Sequence, residues 1–378
     1  MLIALSLAFA VAANAQSPFA PPPKPAPQIV RLLAPSGALD GKTLRAFESE
    51  SGIEIAYDAY GDPARIPTMM KDAAYDVVIL PGPALAQAIA AGRLGPIEKA
   101  QIPNAGRIAA PVAAKLAAYD PSGGFGLAWG WSTTGILFNA SETEPLIGRL
   151  PPSSWSFALN PIASGKLAPC GVALPDARDE MFIAAWRLLG IDPARVHEHE
   201  VKIAADLIIR ARAAVRLPIS PDPLSAIAGG AVCLTFGGAA QKDIASRRSR
   251  EGGAGFNIQF ASPREGGPIA IDALARPRDA PHPHEALVLI DYLLRPAVAA
   301  EATAAAGLTS AQDVPRTENF RALWPVGIYD PAVLPIVEKD WARARAPEKA
   351  AKADAKAKTK TKGKAEARPA GKKARTKR

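Results

Sequence analysis

The sequence predicts an α/β protein of two lobes, and three observations support this prediction. The chain has 378 residues, which is long enough for two domains with separate cores. Candidate strands alternate with candidate helices between residues 28 and 91, as in a doubly wound lobe. Residues 75–80 are mostly apolar, which is typical of a parallel strand buried on both faces.

The first part of the chain supplies the elements of one such lobe. Asp40 or Thr43 is expected to cap its first helix, because both side chains accept hydrogen bonds from early helical N–H groups. Ligands on such sheets bind at the carboxyl ends of strands, so we expect the loops at residues 34–38 and 81–83 to face a ligand. The predicted elements are strand 28–33, a helix ending near Ser51, strand 52–57, strand 75–80 and helix 84–91.

Residues 129–139, Trp-Gly-Trp-Ser-Thr-Thr-Gly-Ile-Leu-Phe-Asn, form the most distinctive stretch. Their aromatic and β-branched side chains predict a buried strand. Gly130 and Gly135 indicate a backbone that bends or passes close to another group. The residue types alone also fit a plain core strand. Later predicted elements are strand 171–174, helices 179–189 and 201–215, strands 231–236 and 268–275, and helices 285–294 and 297–306.

Both ends of the chain differ in composition from the middle. Residues 1–15 are apolar and end in small residues, which predicts a signal peptide, although a positively charged start is missing. A short membrane helix is the alternative, but the run is too short to span a bilayer comfortably. Residues 16–27 are proline-rich and predict an extended arm.

Residues 346–378 predict a disordered tail rich in Lys and Ala. From Pro347 to Arg378 there are thirteen Lys or Arg and three Asp or Glu, a net charge of +10. The whole chain carries +9, so the remaining body carries about −1, and the high pI describes the tail alone. The tail is either a solvated segment or an attachment to a polyanion: anionic lipid or lipopolysaccharide outside the cytoplasm, or nucleic acid inside.

Seven stretches in register resemble the periplasmic spermidine/putrescine-binding protein family. Residues 129–139 resemble the strand that crosses between the two lobes in that family and forms part of the hinge. The other stretches are residues 47–53 (Phe-Glu-Ser-Glu-Ser-Gly-Ile), 75–79, 91–99, 170–172 (Cys-Gly-Val), 176–182 (Asp-Ala-Arg-Asp-Glu-Met-Phe) and 291–296.

The resemblance implies a type II periplasmic-binding-protein fold with hinge strands, in which each lobe is a mixed sheet flanked by helices. It also implies lobe boundaries. The first lobe comprises residues 28–134 and 267–311, and the second lobe comprises residues 135–266 and 312–345. These names are used below in this sense.

Cys170 and Cys233 are the two cysteines of the chain. An even number in an exported protein favours a disulfide, although two separate buried thiols also fit. The resemblance favours the disulfide, because family members carry a cysteine pair in the second lobe.

The resemblance implies five ligand-binding residues. Asp272 matches an aspartate that binds a ligand amine; within Ile-Ala-Ile-Asp-Ala-Leu an unpaired carboxylate is costly, so a cation or an internal Arg or Lys partner is expected. Glu180 matches an acid of the second lobe, with Asp176 beside it, although acids in a first helical turn also favour the helix dipole. Ser36 and Ser220 match polar loop residues.

The chain departs from the family at most aromatic positions of the site. Each lost contact between a cation and an aromatic ring removes roughly 0.5–2 kcal/mol of binding free energy. Several such losses together would remove orders of magnitude in amine affinity unless other groups replace them. Pro35, Ala38, Gly238, Ala270 and Leu308 stand at aromatic positions of the family, whereas Pro81 replaces a serine and Gln241 replaces a carboxylate.

No enzyme, metal site or cofactor site is predicted. His197 and His199, and likewise His282 and His284, are expected to be exposed in polar or proline-rich segments. The glycines of residues 252–255 lack the spacing of a phosphate-binding loop.

The predicted function is that of an exported, monomeric receptor that closes its lobes around a small organic cation of the polyamine class. Its partners are then the permease subunits and ATPase of an ABC importer. Two alternatives stay open at this stage. The same fold binds a ligand that is not a polyamine, or the cleft is degenerate and the basic tail provides binding as a scaffold.

Overall fold

The computed structural model describes residues 28–149, 151–315 and 320–346. The predicted signal peptide, proline-rich arm and basic tail from residue 347 onward lie outside the described residues. In the described residues the strands are β1 (Gln28–Pro35), β2 (Ile53–Tyr60), β3 (Val77–Pro81), β4 (Leu94–Gly95), β5 (Gly126–Asn139), β6 (Ala173–Pro175), β7 (Leu217–Ser220), β8 (Leu234–Gly238), β9 (Ile258–Ala261), β10 (Pro268–Pro277), β11 (Thr309–Ser310) and β12 (Trp324–Pro325).

Helices flank these strands throughout. They are α1 (Gly41–Ser51), α2 (Ile66–Asp72), α3 (Gly82–Ala90), α4 (Ala110–Leu116), α5 (Ala140–Ile147), α6 (Ser156–Leu159), α7 (Pro161–Gly165), α8 (Arg178–Leu188), α9 (Glu198–Arg212), α10 (Pro223–Ala228), α11 (Ala239–Glu251), α12 (Pro283–Leu293), α13 (Pro296–Ala305) and α14 (Leu334–Arg345). Within the described ranges, none of them has the length and apolar character needed to cross a membrane.

The sheet of the first lobe is mixed. β1 pairs in parallel with β2 and with β3, whereas β10 runs antiparallel to β3 and to β5. Its strands bury both faces: Leu32 packs in one core with Phe47, and the next residue, Leu33, packs in another core with Leu85. The predicted doubly wound first lobe is therefore confirmed.

β5 connects the two lobes. Its first half, up to Thr133, pairs with β10, and its second half pairs with β8 and β9 of the second lobe. Both strand glycines accommodate close neighbours: a Cβ on Gly130 would lie 2.9 Å from Leu308 Cδ1, and a Cβ on Gly135 would lie 2.6 Å from the Phe260 ring. The predicted close approach at these glycines is confirmed.

The second lobe has its own core around buried aromatic residues. Trp155, Phe182 and Trp186 are fully buried in one cluster, and Trp341 of α14 packs against the same cluster. In this lobe β6 and β7 pair in parallel, and a parallel bridge joins Val172 to the start of β8. The chain end from α14 thus packs with the second lobe.

Local details follow the sequence closely, with shifts at several element ends. The Asp40 side chain accepts a hydrogen bond from the Thr43 N–H, so Asp40 is the N-cap of α1. α9 begins at Glu198, three residues before the predicted start, because the Glu200 side chain accepts the His197 N–H and extends the first turn. β8 begins at Leu234, three residues after the predicted start, where its pairing with Phe138 of β5 begins; the carbonyl of the preceding Cys233 still accepts the Asn139 N–H at the end of β5.

A disulfide joins Cys170 to Cys233, as predicted. The two residues are 63 positions apart, so the bond closes a long loop within the second lobe. In the chain-entropy model a loop of this length contributes about 4 kcal/mol to the free energy of unfolding.

Candidate functional site

Asp272 lies at the carboxyl edge of the first-lobe sheet. It sits in the middle of β10, opposite Pro81 at the end of β3 on one side and opposite Gly130 of β5 on the other. β10 runs antiparallel to β3, so its central residue reaches the edge where the parallel strands β1 and β3 end. This is the edge at which α/β sheets bind ligands.

The Asp272 carboxylate has no partner in the described part of the chain: no hydrogen bond or ion pair involves it there. The side chain is half-buried, and burial raises its pKa to about 6 because a charged carboxylate is poorly solvated in this position. The internal Arg or Lys partner that the sequence left open is absent from the described residues. An incoming cation would supply the missing partner.

Three acids of the second lobe lie near the start of α8, and two of them are paired. Asp176 accepts a hydrogen bond at 2.7 Å from Arg345 of α14, and Asp179 accepts one at 2.6 Å from its neighbour Arg178. Glu180 has no ion pair within the described ranges. Burial, as the largest cause, and the nearby Asp179 carboxylate raise the pKa of Glu180.

Tyr119 brings these acids into one neighbourhood. Its hydroxyl is buried and donates a hydrogen bond of 2.7 Å to the Val326 carbonyl. Burial raises the pKa of Tyr119 most, and the carboxylates of Asp179, Asp272 and Glu180 raise it further. Acids from both lobes therefore act on the same hydroxyl, which places it between them.

The sequence had not indicated Tyr119 as a site residue, and little in it could have done so. Tyr119 lies just after α4, in a turn, with no flanking motif. The one hint is Gly82 in the Pro-Gly-Pro loop: a Cβ there would lie 2.3 Å from the Tyr119 ring. That glycine is therefore required for the ring to occupy this position, but the local sequence indicates only a turn residue.

Two further tyrosines accompany these acids. The Tyr60 hydroxyl donates to the Ile79 carbonyl at 3.0 Å, and its pKa is raised by burial and then by Asp272. Tyr329 packs edge-on against Trp186, with 5.7 Å between ring centres. Burial and then the Asp179 carboxylate raise the pKa of Tyr329.

The two predicted serines lie at strand ends. Ser36 follows β1, is exposed, and donates its N–H to the Tyr60 carbonyl at 2.8 Å. Ser220 ends β7, is buried, and accepts the Asp176 N–H at 3.0 Å on its carbonyl. Both serines therefore occupy carboxyl edges of their lobes, Ser36 in the first and Ser220 in the second.

The residues that replace the family's aromatic, serine and carboxylate positions have other roles here. Ala38 is fully buried in the first-lobe core, and Leu308 lies against Gly130. The Gln241 side chain accepts the Gly238 N–H at 2.9 Å and so caps the start of α11. Pro81 lies opposite Asp272. These residues offer no aromatic face and no carboxylate to a ligand.

The histidines and sulfurs do not form a metal site in the described residues. One cluster there contains three potential ligands, Glu142, Cys170 and Cys233, but its two sulfurs are bonded to each other. His284 is exposed as expected. His282 differs from the expectation, because its half-buried ring lies 3.2 Å from the buried Asp76 carboxylate.

Comparisons with known proteins agree with this architecture. The family model for bacterial extracellular solute-binding proteins matches residues 42–324. The putrescine-binding periplasmic protein of Escherichia coli is 31% identical over 262 residues, which cover 68% of this chain and 71% of that protein. The putrescine/agmatine-binding protein of Pseudomonas aeruginosa is 29% identical over 301 residues, which cover 79% and 77%.

Solved structures show the same fold. The spermidine/putrescine substrate-binding protein of Streptococcus pneumoniae superposes with a TM-score of 0.72 at 15% identity, covering 84% of this chain and 98% of that one. A lipoprotein of Treponema pallidum superposes with a TM-score of 0.69 at 20% identity, covering 84% and 99%. The predicted two-lobed type II periplasmic-binding-protein fold is confirmed, and the chain belongs to the bacterial extracellular solute-binding protein family.

Proposed function

We propose that this protein is the periplasmic receptor of an ABC importer for a small organic cation of the polyamine class. The observation that carries this proposal is the unpaired Asp272 carboxylate at the ligand-binding edge of the first lobe. A buried carboxylate without a partner is costly, and an alkylammonium group would offset that cost with a charge-assisted hydrogen bond. The names of the similar proteins, which bind putrescine, agmatine or spermidine, support the same class.

Glu180 is the proposed counter-charge in the second lobe. It is half-buried and has no ion pair within the described residues, whereas Asp176 is already neutralised by Arg345. A diamine with one ammonium at Asp272 and the other at Glu180 would hold the two lobes together. Such a ligand links binding to closure, since each lobe contributes one carboxylate.

The tyrosines near these acids are the proposed replacement for part of the lost aromatic wall. Tyr119 and Tyr329 lie beside the acids of the second lobe, and Tyr60 lies beside Asp272. A ring next to an ammonium group contributes roughly 0.5–2 kcal/mol to binding. We propose Ser36 and Ser220 as supporting polar groups at the two edges.

The test is a calorimetric titration of the full-length mature protein with putrescine, spermidine, agmatine and a panel of monoamines. We expect at least one diamine to bind and Asp272→Asn to abolish the heat. Asp243→Asn is the matched control, because Asp243 is an exposed acid paired with Lys242 on α11. Absence of heat from every amine, with a protein shown to be folded by circular dichroism, would contradict the polyamine assignment.

The basic tail requires a separate test, because a tail-driven scaffold is the other function that the sequence allowed. Deleting residues 347–378 removes a net charge of +10. A receptor keeps its amine affinity after this deletion. A protein that works through the tail loses binding to anionic vesicles and loses the salt sensitivity of that binding. The two readouts are independent, so each function is accepted or rejected separately.

A further inference from the structure

Two cations, one from each lobe, approach the same pair of strands behind the acids. Lys115 of α4 in the first lobe donates from Nζ to the Leu323 carbonyl at 2.6 Å. Arg187 of α8 in the second lobe donates from Nε to the Glu265 carbonyl at 2.8 Å. The two carbonyls lie on neighbouring segments, because the Trp324 N–H donates to the Gly267 carbonyl at 2.8 Å where β12 pairs with β10.

These two cations lack counter-charges. Neither Lys115 nor Arg187 takes part in an ion pair in the described part of the chain, although both side chains are half-buried. Glu265, whose carbonyl accepts the Arg187 hydrogen bond, accepts a hydrogen bond from Ser154 on Oε1 and lies 3.7 Å from Arg264, while its Oε2 is buried without a hydrogen-bond partner. Burial first, and then the positive charge of Arg187, lower the pKa of Lys115.

If closure brings two like charges from opposite lobes together and removes water from around them, their repulsion opposes closure of the lobes. An oxyanion or carboxylate between them would turn this repulsion into two attractive contacts, because a guanidinium binds such groups through paired N–H donors and an ammonium binds them as a point charge. Lys115 and Arg187 belong to the helices that also carry or precede Tyr119 and Glu180.

We propose that a small oxyanion or carboxylate bridges Lys115 and Arg187 when the lobes close. This group is either a free inorganic anion or the carboxylate of a ligand that also carries an ammonium group. The proposal rests on closure around a ligand amine, as proposed above, and adds that closure requires an anion at this second place.

The first arm of the test uses inorganic phosphate and needs no amine. Thermal unfolding of the full-length mature protein is followed as phosphate replaces methanesulfonate at constant ionic strength. We expect phosphate to raise the melting temperature of the wild type more than that of Lys115→Gln or Arg187→Gln, because ligands that bind the folded state stabilise it. Glutamine keeps an N–H donor for the Leu323 or Glu265 carbonyl, and Lys202→Gln on exposed α9 is the control for general salt effects.

The second arm measures amine binding by calorimetry and separates the two sources of the anion. A free anion predicts that phosphate strengthens putrescine binding to the wild type by about fivefold or more, and that this gain disappears in Lys115→Gln and returns in Lys115→Arg. A ligand-borne anion predicts instead that an aminoalkanoic acid of the same chain length binds without phosphate and is weakened about fivefold or more by Lys115→Gln.

The two proposals fail in distinguishable ways. If no amine binds in the second arm, the polyamine assignment fails, and the phosphate melting series of the first arm alone decides the anion site. If the wild type, Lys115→Gln and Arg187→Gln respond alike to phosphate and to both ligand classes, the anion site is overturned. Glu265 then supplies the missing charge by a change in side-chain conformation.

Discussion

The acids of the two lobes have opposite environments. In the first lobe, Asp272 stands alone, half-buried and without a partner in the described part of the chain. In the second lobe, Asp176 is paired with Arg345 and Asp179 with Arg178. An acid that already has a cation gains little from a second one, whereas an unpaired buried acid gains a great deal. The difference shows that a count of acids near a cleft does not give the number available to a ligand.

The lobes also differ in how they are held together. The second lobe contains the disulfide and the packed α14, whereas the first lobe relies on two hydrophobic cores, one on each face of its sheet. The second lobe therefore has a covalent constraint that the described residues of the first lobe lack. Removing the disulfide should affect stability, whereas removing the Asp272 carboxylate should affect affinity.

The largest effect is expected for Asp272→Asn on affinity. The change should weaken amine binding by about 2–5 kcal/mol, because it removes one member of a buried charge pair and leaves the ligand cation unpaired. Calorimetric titration measures the loss, with Asp243→Asn as the control. An affinity within about threefold of the wild type, under 1 kcal/mol, would remove Asp272 from the site.

The disulfide should dominate stability without affecting the site. Replacing Cys170 and Cys233 together by serine should lower the free energy of unfolding by about 4 kcal/mol. Denaturant titration monitored by circular dichroism measures the change. Amine affinity below the unfolding transition should be retained, since neither cysteine is among the proposed ligand-binding residues. If the double variant is folded but binds the amine less tightly, the disulfide of the second lobe affects ligand binding as well as stability.

A change of pH should act on stability and affinity in opposite directions. Burial raises the pKa of Asp272 from its ordinary value of 3.8 to about 6, so the folded, ligand-free state binds the proton more tightly than the unfolded state. This contribution to stability therefore increases as the pH falls through 6, by on the order of 3 kcal/mol in total. Amine affinity should fall below pH 6, by about tenfold per unit, because the protonated carboxyl no longer attracts a cation.

The pH test uses melting temperatures and amine titrations at a series of pH values for the wild type and Asp272→Asn. The change of stability with pH and the change of affinity with pH should both be smaller in Asp272→Asn. The variant lacks the titrating carboxyl of Asp272 and keeps every other acid of the wild type. Identical pH profiles in the two proteins would show that Asp272 does not titrate in this range.

The smallest effect is expected for Asp176→Asn, compared with Glu180→Gln. Asp176→Asn should change the free energy of unfolding by less than about 1 kcal/mol, because its partly exposed ion pair with Arg345 is weak. Its amine affinity should stay close to that of the wild type. Glu180→Gln should weaken binding by about 1.5–3 kcal/mol, the range for a hydrogen bond to a charged group. If a parallel titration showed that Asp176→Asn weakens amine binding more than Glu180→Gln does, the proposed roles of the two acids would be exchanged.

Much of the fold could be predicted from local patterns. The apolar run of β3, the Asp40 cap of α1 and the glycines of β5 each reflect chemistry within a few residues. Element ends were less predictable, because contacts to distant residues set them. The start of β8 at Leu234, for example, depends on its pairing with Phe138 of β5, which is distant in sequence.

The site was predicted only in part. Asp272 and Glu180 were expected to bind ligand and remain the proposed pair, because neither forms an ion pair in the described residues. The neighbourhood of Tyr119 was not predicted, since its role depends on Gly82, on the Val326 carbonyl and on acids from both lobes. These groups are far apart in sequence, and no local pattern connects them.

The sequence by itself determined much of the strand and helix order, because that order depends on residue types and spacing along the chain. The family and the preference for a disulfide followed from the resemblance of seven stretches to known relatives. Only the tertiary structure decided which acids are neutralised. Arg345 reaches Asp176 across 169 positions, while Asp272 is left without a cation by the strands on either side of it. The physical reason is that the electrostatic state of a side chain depends on its neighbours in space, and the packing of the two lobes selects them.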